Sequence, residues 1–381
     1  MRPSIPSAAR TFLVISTTVC ASLLVHAQAG ADAEETAALG GLDPVYLCSG
    51  KEVAGSPKLA FRHGRFVYHF GDADSRRRFL ADPERWAIQW GGGCARMGPL
   101  SGAGDGSRWA TYDGHLYTFA SDGCREGFLG APQRYVVGPE PYPTMDEESL
   151  RIGVEWMARA VARHDGAYRM QRLQTARYAR EDRPVDGWSR RLAVTIGRDG
   201  QVRSETTWTQ DGAAGESTSW ILHPTLEGAT FVDEGDSAHA VTSPAQIEDL
   251  RRMAMRMPTT LLWNAGPWVV SYRGRSLFFD QEVVDVLLVL HDLQTTVHLD
   301  PDDARLVGIT WRGRITDGAT RRVQERFASF VDVDGIELPR ERIVTVDGEE
   351  QPQGFGSWTQ VELVGQQMKP RLLSEWKPNQ P

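Results

Sequence analysis

The chain has few cysteines, no concentrated run of lysine and arginine, and no apolar stretch after its first thirty residues long enough to span a bilayer. Each absence excludes something. The formal net charge is −8 with the cations dispersed. A phosphate-tracking surface needs concentrated cations, so nucleic acid is not expected as a partner. A spanning helix needs about 20 successive apolar residues, and no later segment supplies them. Catalytic signatures are missing too: there is no HExxH, P-loop, GxSxG or strand-preceded GxGxxG pattern. Gly91, Gly92 and Gly93 precede no phosphate-binding lysine. What is plentiful is tryptophan. Twelve occur in 381 residues; most are expected in cores and several along a groove. This length suits two domains, or three.

The first residues are not fold. Arg2 and Arg10 give a basic start, Thr11 to Val25 is mostly apolar, and small residues follow. This is a secretory signal pattern, with cleavage expected after Ala27 or Ala29. A lipid-modified cysteine ends the apolar run, whereas Cys20 is followed by Ala21 to Val25, which argues against lipid attachment. Residues 1–29 are set apart, and a periplasmic or secreted location is expected. In that oxidising setting Cys48, Cys94 and Cys124 remain. Three is odd, so at most one intramolecular disulfide forms and one thiol is left over.

The first third repeats itself. Phe70, Phe79, Pro83 and Trp86 are matched 49 positions later by Phe119, Phe128, Pro132 and Tyr135. A glycine turn at Gly64 or Gly114 leads into an aromatic strand, and residues 73–80 and 122–129 read as short helices. The aromatics alone need only a shared core.

With Asp43-Pro44-Val45-Tyr46, Gly50-Lys51, Val53, Gly55-Ser56, Phe79 to Trp86, and Gln89 to Ala95, residues 41–137 resemble the YHS domain family in its exported branch. The resemblance implies heavy-metal handling, copper above all. Several family cysteine places are filled differently, by Tyr46, Gly71, Ser75 and Ala120. The pooled ligand candidates are Cys48, Cys94, Cys124, His69 and His115, with His63 nearby; thiolate and imidazole suit copper or zinc. A disulfide between two of the three cysteines, a metal site using at least two, and plain buried thiols all stay open.

Gly138 to Thr144 is proline-rich and marks a linker at 139–147. Thr144 or Asp146 then caps a helix with Leu150, Val154, Met157 and Val161 on its apolar face. Strands follow, with a hairpin from Leu192–Ile196 into Val202–Trp208. Ser243 caps a second helix that opens on Pro244 and runs to about Met257. From Trp268 to Leu363 the pattern is successive antiparallel strands, and a tail covers 369–381. The cluster Met253, Met255, Met257 reads as core filler.

Ala162 to Gly166, Met257-Pro258 with Leu261-Leu262, Val297 to Pro301, and Val333 to Pro339 resemble the lipoprotein-carrier half-barrel family, LolA/LolB-like, over 148–366. That resemblance implies an apolar cavity holding a lipid or other apolar small molecule. Trp208, Trp220, Trp263, Trp268 and Phe279 are the candidate lining, with simple core filling as the alternative. The expected fold class is α+β: a small strand-helix module at 41–138, then an antiparallel half-barrel sheet wrapped around a helix at 148–368. The expected function is non-catalytic binding by an exported protein. Its rivals are a hydrolase or thiol-redox enzyme using Ser237 or an unpaired cysteine, and a structural envelope protein stapled by a cysteine pair.

Overall fold

The computed structural model describes residues 37–365, except 102–103, 139, 166–168, 171, 186–187, 200, 211–214, 216, 224–227, 234–236, 264–267, 291–292, 315–317, 334, 352–357 and 359. The expected signal segment, cleavage positions, Cys20 and the tail at 369–381 lie outside the described residues. Residues from Ala37 onward form one compact unit.

The first third contains two similar units. Helix α1 (Pro44–Cys48), strands β1 (Ser56–His63) and β2 (Phe66–Phe70), and helices α2 (Ala73–Ala81) and α3 (Pro83–Trp86) make the first. Strands β3 (Asp105–Tyr112) and β4 (His115–Phe119) and helix α4 (Asp122–Gly130) make the second. Each hairpin packs its aromatics on the following helix. The rings of Phe70 and Phe79 are 5.2 Å apart, as are those of Phe119 and Phe128. Each helix starts on a side-chain cap, because its first N–H groups lack partners. Asp72 Oδ1 accepts from Ser75 N at 2.8 Å, and Ser121 Oγ from Cys124 N at 3.2 Å. Asp43 is fully buried, yet it accepts from the N–H groups of Val45, Tyr46 and Gly71 and from Ser75 Oγ.

Helix α5 (Glu147–Asp165) begins where Asp146 Oδ1 accepts from Ser149 N at 2.7 Å. Its inward face keeps Met157 from the predicted set but turns Val154 outward. Val154 is 53% exposed, whereas Gly153, Met157, Ala160 and His164 are buried. Gly153 decides this rotation: a Cβ there would stand 2.8 Å from Tyr272 N. The small residue lets the helix lie directly on a strand.

The remaining strands are β5 (Leu173–Val185), β6 (Trp188–Gly197), β7 (Val202–Gln210), β8 (Ser217–Leu222), β9 (Ala229–Val232) and β10 (Ala238–Val241). Helices α6 (Pro244–Met255) and α7 (Pro258–Trp263) interrupt them. Then come β11 (Val269–Phe278), β12 (Gln281–Leu290), β13 (Leu293–Leu299), β14 (Leu306–Arg314), β15 (Thr320–Val333), β16 (Ile336–Val346), β17 (Glu349–Glu350) and β18 (Gln360–Gly365). Ser243 precedes α6, but its side chain makes no capping hydrogen bond.

The α+β expectation of one sheet wrapped around a helix is overturned. The chain is mostly antiparallel sheet, divided into two open seven-stranded sheets. The first runs β10-β9-β8-β7-β6-β5-β18 and the second β11-β12-β13-β14-β15-β16-β17. The physical reason is the α6–α7 interruption. It breaks the meander after β10, so β11 founds a new sheet and β18 returns to pair with β5. Helix α5 lies on β11, and α6 touches both β8 and β13. Tyr178 of β5 donates to Thr259 Oγ1 of α7 at 2.9 Å. One core cluster unites both sheets with these helices.

The motifs at the far end of α5 act as ties. Arg163 pairs with Asp303 at 2.9 Å and Glu337 at 2.6 Å. His164 donates from Nδ1 to the Glu337 carbonyl at 2.8 Å and accepts at Nε2 from Leu306 N at 2.9 Å. That pattern requires a neutral ring.

Candidate functional site

A cavity of about 210 Å³ lies between the sheets beneath α6. Its apolar wall is Leu192 and Val194 of β6, Met253 and Met257 at the end of α6, Val323 of β15 and Val344 of β16, with Trp311 and Trp358. The strand contributors obey a period of two, as inward-facing side chains must. Leu192 with Val194, and Arg342 with Val344, are such pairs.

Four arginines stand in the same wall: Arg180, Arg256, Arg314 and Arg342. One carboxylate, Glu325, accompanies them. Glu325 is committed on both oxygens. Oε1 accepts from Trp311 Nε1 at 2.8 Å, and Oε2 pairs with Arg342. Arg314 pairs with Asp249 at 2.9 Å. Burial holds the Asp249 carboxyl above its usual range, against the pull of Arg314 and Arg252. Arg256 stacks on the Trp311 ring at 4.1 Å, and its Nε donates to the Arg252 carbonyl at 3.1 Å. It forms no ion pair among the described residues. Burial pushes its guanidinium down to about 10, chiefly against the attraction of Glu325. It therefore stays charged at neutral pH.

The chain is similar to several solved structures, all at low identity. A domain assigned as an outer membrane lipoprotein-sorting protein, from Vibrio parahaemolyticus, is 13% identical, with 61% of this chain and 94% of that one covered and a TM-score of 0.27. A DUF1329 family protein from Desulfovibrio piger is 10% identical, with 53% and 88% covered and a TM-score of 0.35. The MucA/MucB complex of Pseudomonas aeruginosa gives 12% identity, 52% and 56% coverage and a TM-score of 0.15. No family model matches, so none supports the YHS resemblance, and no curated protein matches either. Likeness this distant assigns no ligand.

The tryptophans named from sequence stand elsewhere. Trp220 is buried against Phe231 at 4.5 Å. Trp208 is 38% exposed under Arg190. Trp268 is half-buried at the edge of the core. Phe279 sits in the turn between β11 and β12, stacked by Arg326 at 5.2 Å. The side chain of Trp263 lies outside the described residues. None of the four described lines the cavity. The residues that do line it carry one legible signal. Glu325 and Arg342 are charges placed in step with buried apolar neighbours, where a solvated charge should be out of step.

The metal candidates are not gathered either. Cys48 packs in the first unit's core; Cys94 and Cys124 share the second unit's. All three are free thiols. Burial pushes the Cys48 thiol up to about 11, which disfavours the thiolate a metal needs. His115 contacts the Asp113 carbonyl at 2.9 Å and Arg85 at 3.0 Å. His69 stands on β2 beside Gly41. Among the described residues no three His, Cys, Asp or Glu side chains converge. The glycines before Cys94 do not open it to a ligand. Gly91 lets Gln246 of α6 approach, Gly93 lets the Pro99 carbonyl approach, and Cys94 is fully buried. Ser237 is exposed beside β10, and the nearby His239 is bound to Asp233 at 2.8 Å.

Proposed function

We propose that this is an exported, non-catalytic binding protein that holds an apolar or amphiphilic small molecule between its two sheets. The supporting observation is the cavity itself, walled by aliphatic side chains and two tryptophans. Concave, mostly apolar sites with a few polar groups are the usual form of small-molecule sites. A cavity of ~150 Å³ holds benzene in another protein, so about 210 Å³ receives a ring or the end of a chain rather than a whole lipid. Export is supported by the basic start, apolar run and small residues of the first thirty positions. No helix among the described residues is long and apolar enough to cross a membrane.

Native mass spectrometry of the purified protein tests the reading. Masses carrying a co-purified small amphiphile, removed by organic extraction, are the expected result. A clean apo mass over several preparations, with no uptake of added ten-carbon compounds, sinks it.

A further inference from the structure

The cavity wall holds a buried cation, Arg256, that no acid among the described residues pairs with. Of its neighbours, Arg342 pairs with Glu325 in the lining and Arg314 with Asp249 just behind it, so both of those carboxylates are already taken. Burying a charge without a partner is costly. Stacking does not supply that partner. Arg256 lies over Trp311 at 4.1 Å and Arg314 over Trp90 at 4.5 Å. A ring occupies the face of a guanidinium, while its N–H donors project in the plane.

A second observation is independent of the arginines. Trp358 is only 5% exposed and lines the cavity, yet its Nε1 is buried without a hydrogen-bond partner among the described residues. The Nε of Arg314 is in the same position. A buried donor without an acceptor is rare and expensive. Trp311, by contrast, gives its indole hydrogen to Glu325. Among the described residues, one indole donor is answered by a carboxylate and the other is not.

Resting on the binding reading above, we infer that the cavity selects ligands with an oxyanion head, a carboxylate or a phosphate. The head lies among Arg256, Arg314 and the Trp358 indole, and the apolar remainder packs on Val194, Met253, Met257 and Val344. Arginine suits this task because its planar donors match both oxyanions in pairs. The donors are pre-positioned, since their faces are already clamped on rings, so little side-chain freedom is lost on binding.

Calorimetric titration of the purified protein with four ten-carbon probes tests this: decanoate, decyl phosphate, decanol and decylamine. At least one acid should bind tighter than decanol by about tenfold to a hundredfold, the range of a charge-assisted hydrogen bond. Whether decanoate or decyl phosphate leads separates a carboxylate from a phosphate source. Decylamine should be the weakest of the four. Arg256→Met, matched in volume, should narrow the gap between acid and alcohol to under about threefold. Should that variant misfold by circular dichroism, Trp358→Phe keeps the ring and removes only the donor, and should narrow the same gap. Decanol binding as tightly as both acids overturns the oxyanion inference and leaves the apolar cavity standing. Silence from all four probes overturns the binding reading with it.

Discussion

The N-terminal module and the two-sheet body both bury aromatic rings, but they surround them differently. In the module, ring packs on ring. Phe79 touches Tyr68 at 4.9 Å and Phe70 at 5.2 Å, and Phe128 touches Tyr117 at 5.4 Å and Tyr135 at 5.6 Å. Asp43, a fully buried carboxylate, accepts from four donors of its own chain. In the body, Trp311 and Trp358 pack against guanidinium groups, and the Trp358 indole donor is left over among the described residues. A closed set of contacts makes a scaffold; an unfinished one makes a receptor. On this view the module supports the body, packing through Gln246 Nε2 to the Pro99 carbonyl at 3.0 Å.

The sharpest way to break the contrast is to damage each side and ask which property changes. Phe79→Ala removes the hub of the first unit and should cost about 3–5 kcal/mol in urea denaturation, the range for a buried Phe. Decanoate affinity should stay within about twofold in whatever fraction folds. Loss of binding at full folding would place the ligand site in the module instead. Arg256→Met should act in reverse. It weakens acid binding, while stability holds or rises by about 1 kcal/mol, because an uncompensated buried charge is gone. A loss of 3 kcal/mol or more would make Arg256 a structural partner rather than a receptor group.

His164 sharpens the comparison from within the body, since it is buried but fully paired. Burial holds its folded pKa below the ordinary 6.5. As pH falls through 6.5, the unfolded chain gains a proton that the folded chain refuses, so stability falls. The melting temperature should drop between pH 7.5 and 5.5, with stability falling by at most about 1.4 kcal/mol per pH unit. In His164→Asn the slope over that window should flatten. An unchanged slope would show that other groups carry the pH dependence.

Local pattern made part of this molecule legible. The spaced aromatics of residues 70–135 are the ones that meet, and α6 begins on Pro244 as helix chemistry demands. Face and partnership were less legible. Hydrophobic spacing turned α5 toward Val154, because the pull of Gly153 comes from a strand more than a hundred residues later. Counting tryptophans pointed to Trp208 and Trp268 rather than Trp311 and Trp358. What separates them is not the ring but its neighbours, and those come from three distant segments. Sheet division was hidden for the same reason: the pairing of Gln360 with Ala179 has no local signature.

That pairing has a temporal consequence. Strands β5 to β10 can assemble as a meander while the chain is still being made, and so can β11 to β17. The seat of Trp358 cannot. It stands two positions before β18, which must travel back across the whole second sheet to reach the free side of β5. Contacts of such sequence separation form late, because loop closure precedes any gain from them. The pocket is therefore among the last features to mature. Until Trp358 arrives, the wall of Leu192, Val194, Val323 and Val344 stands open on the side that its ring later covers.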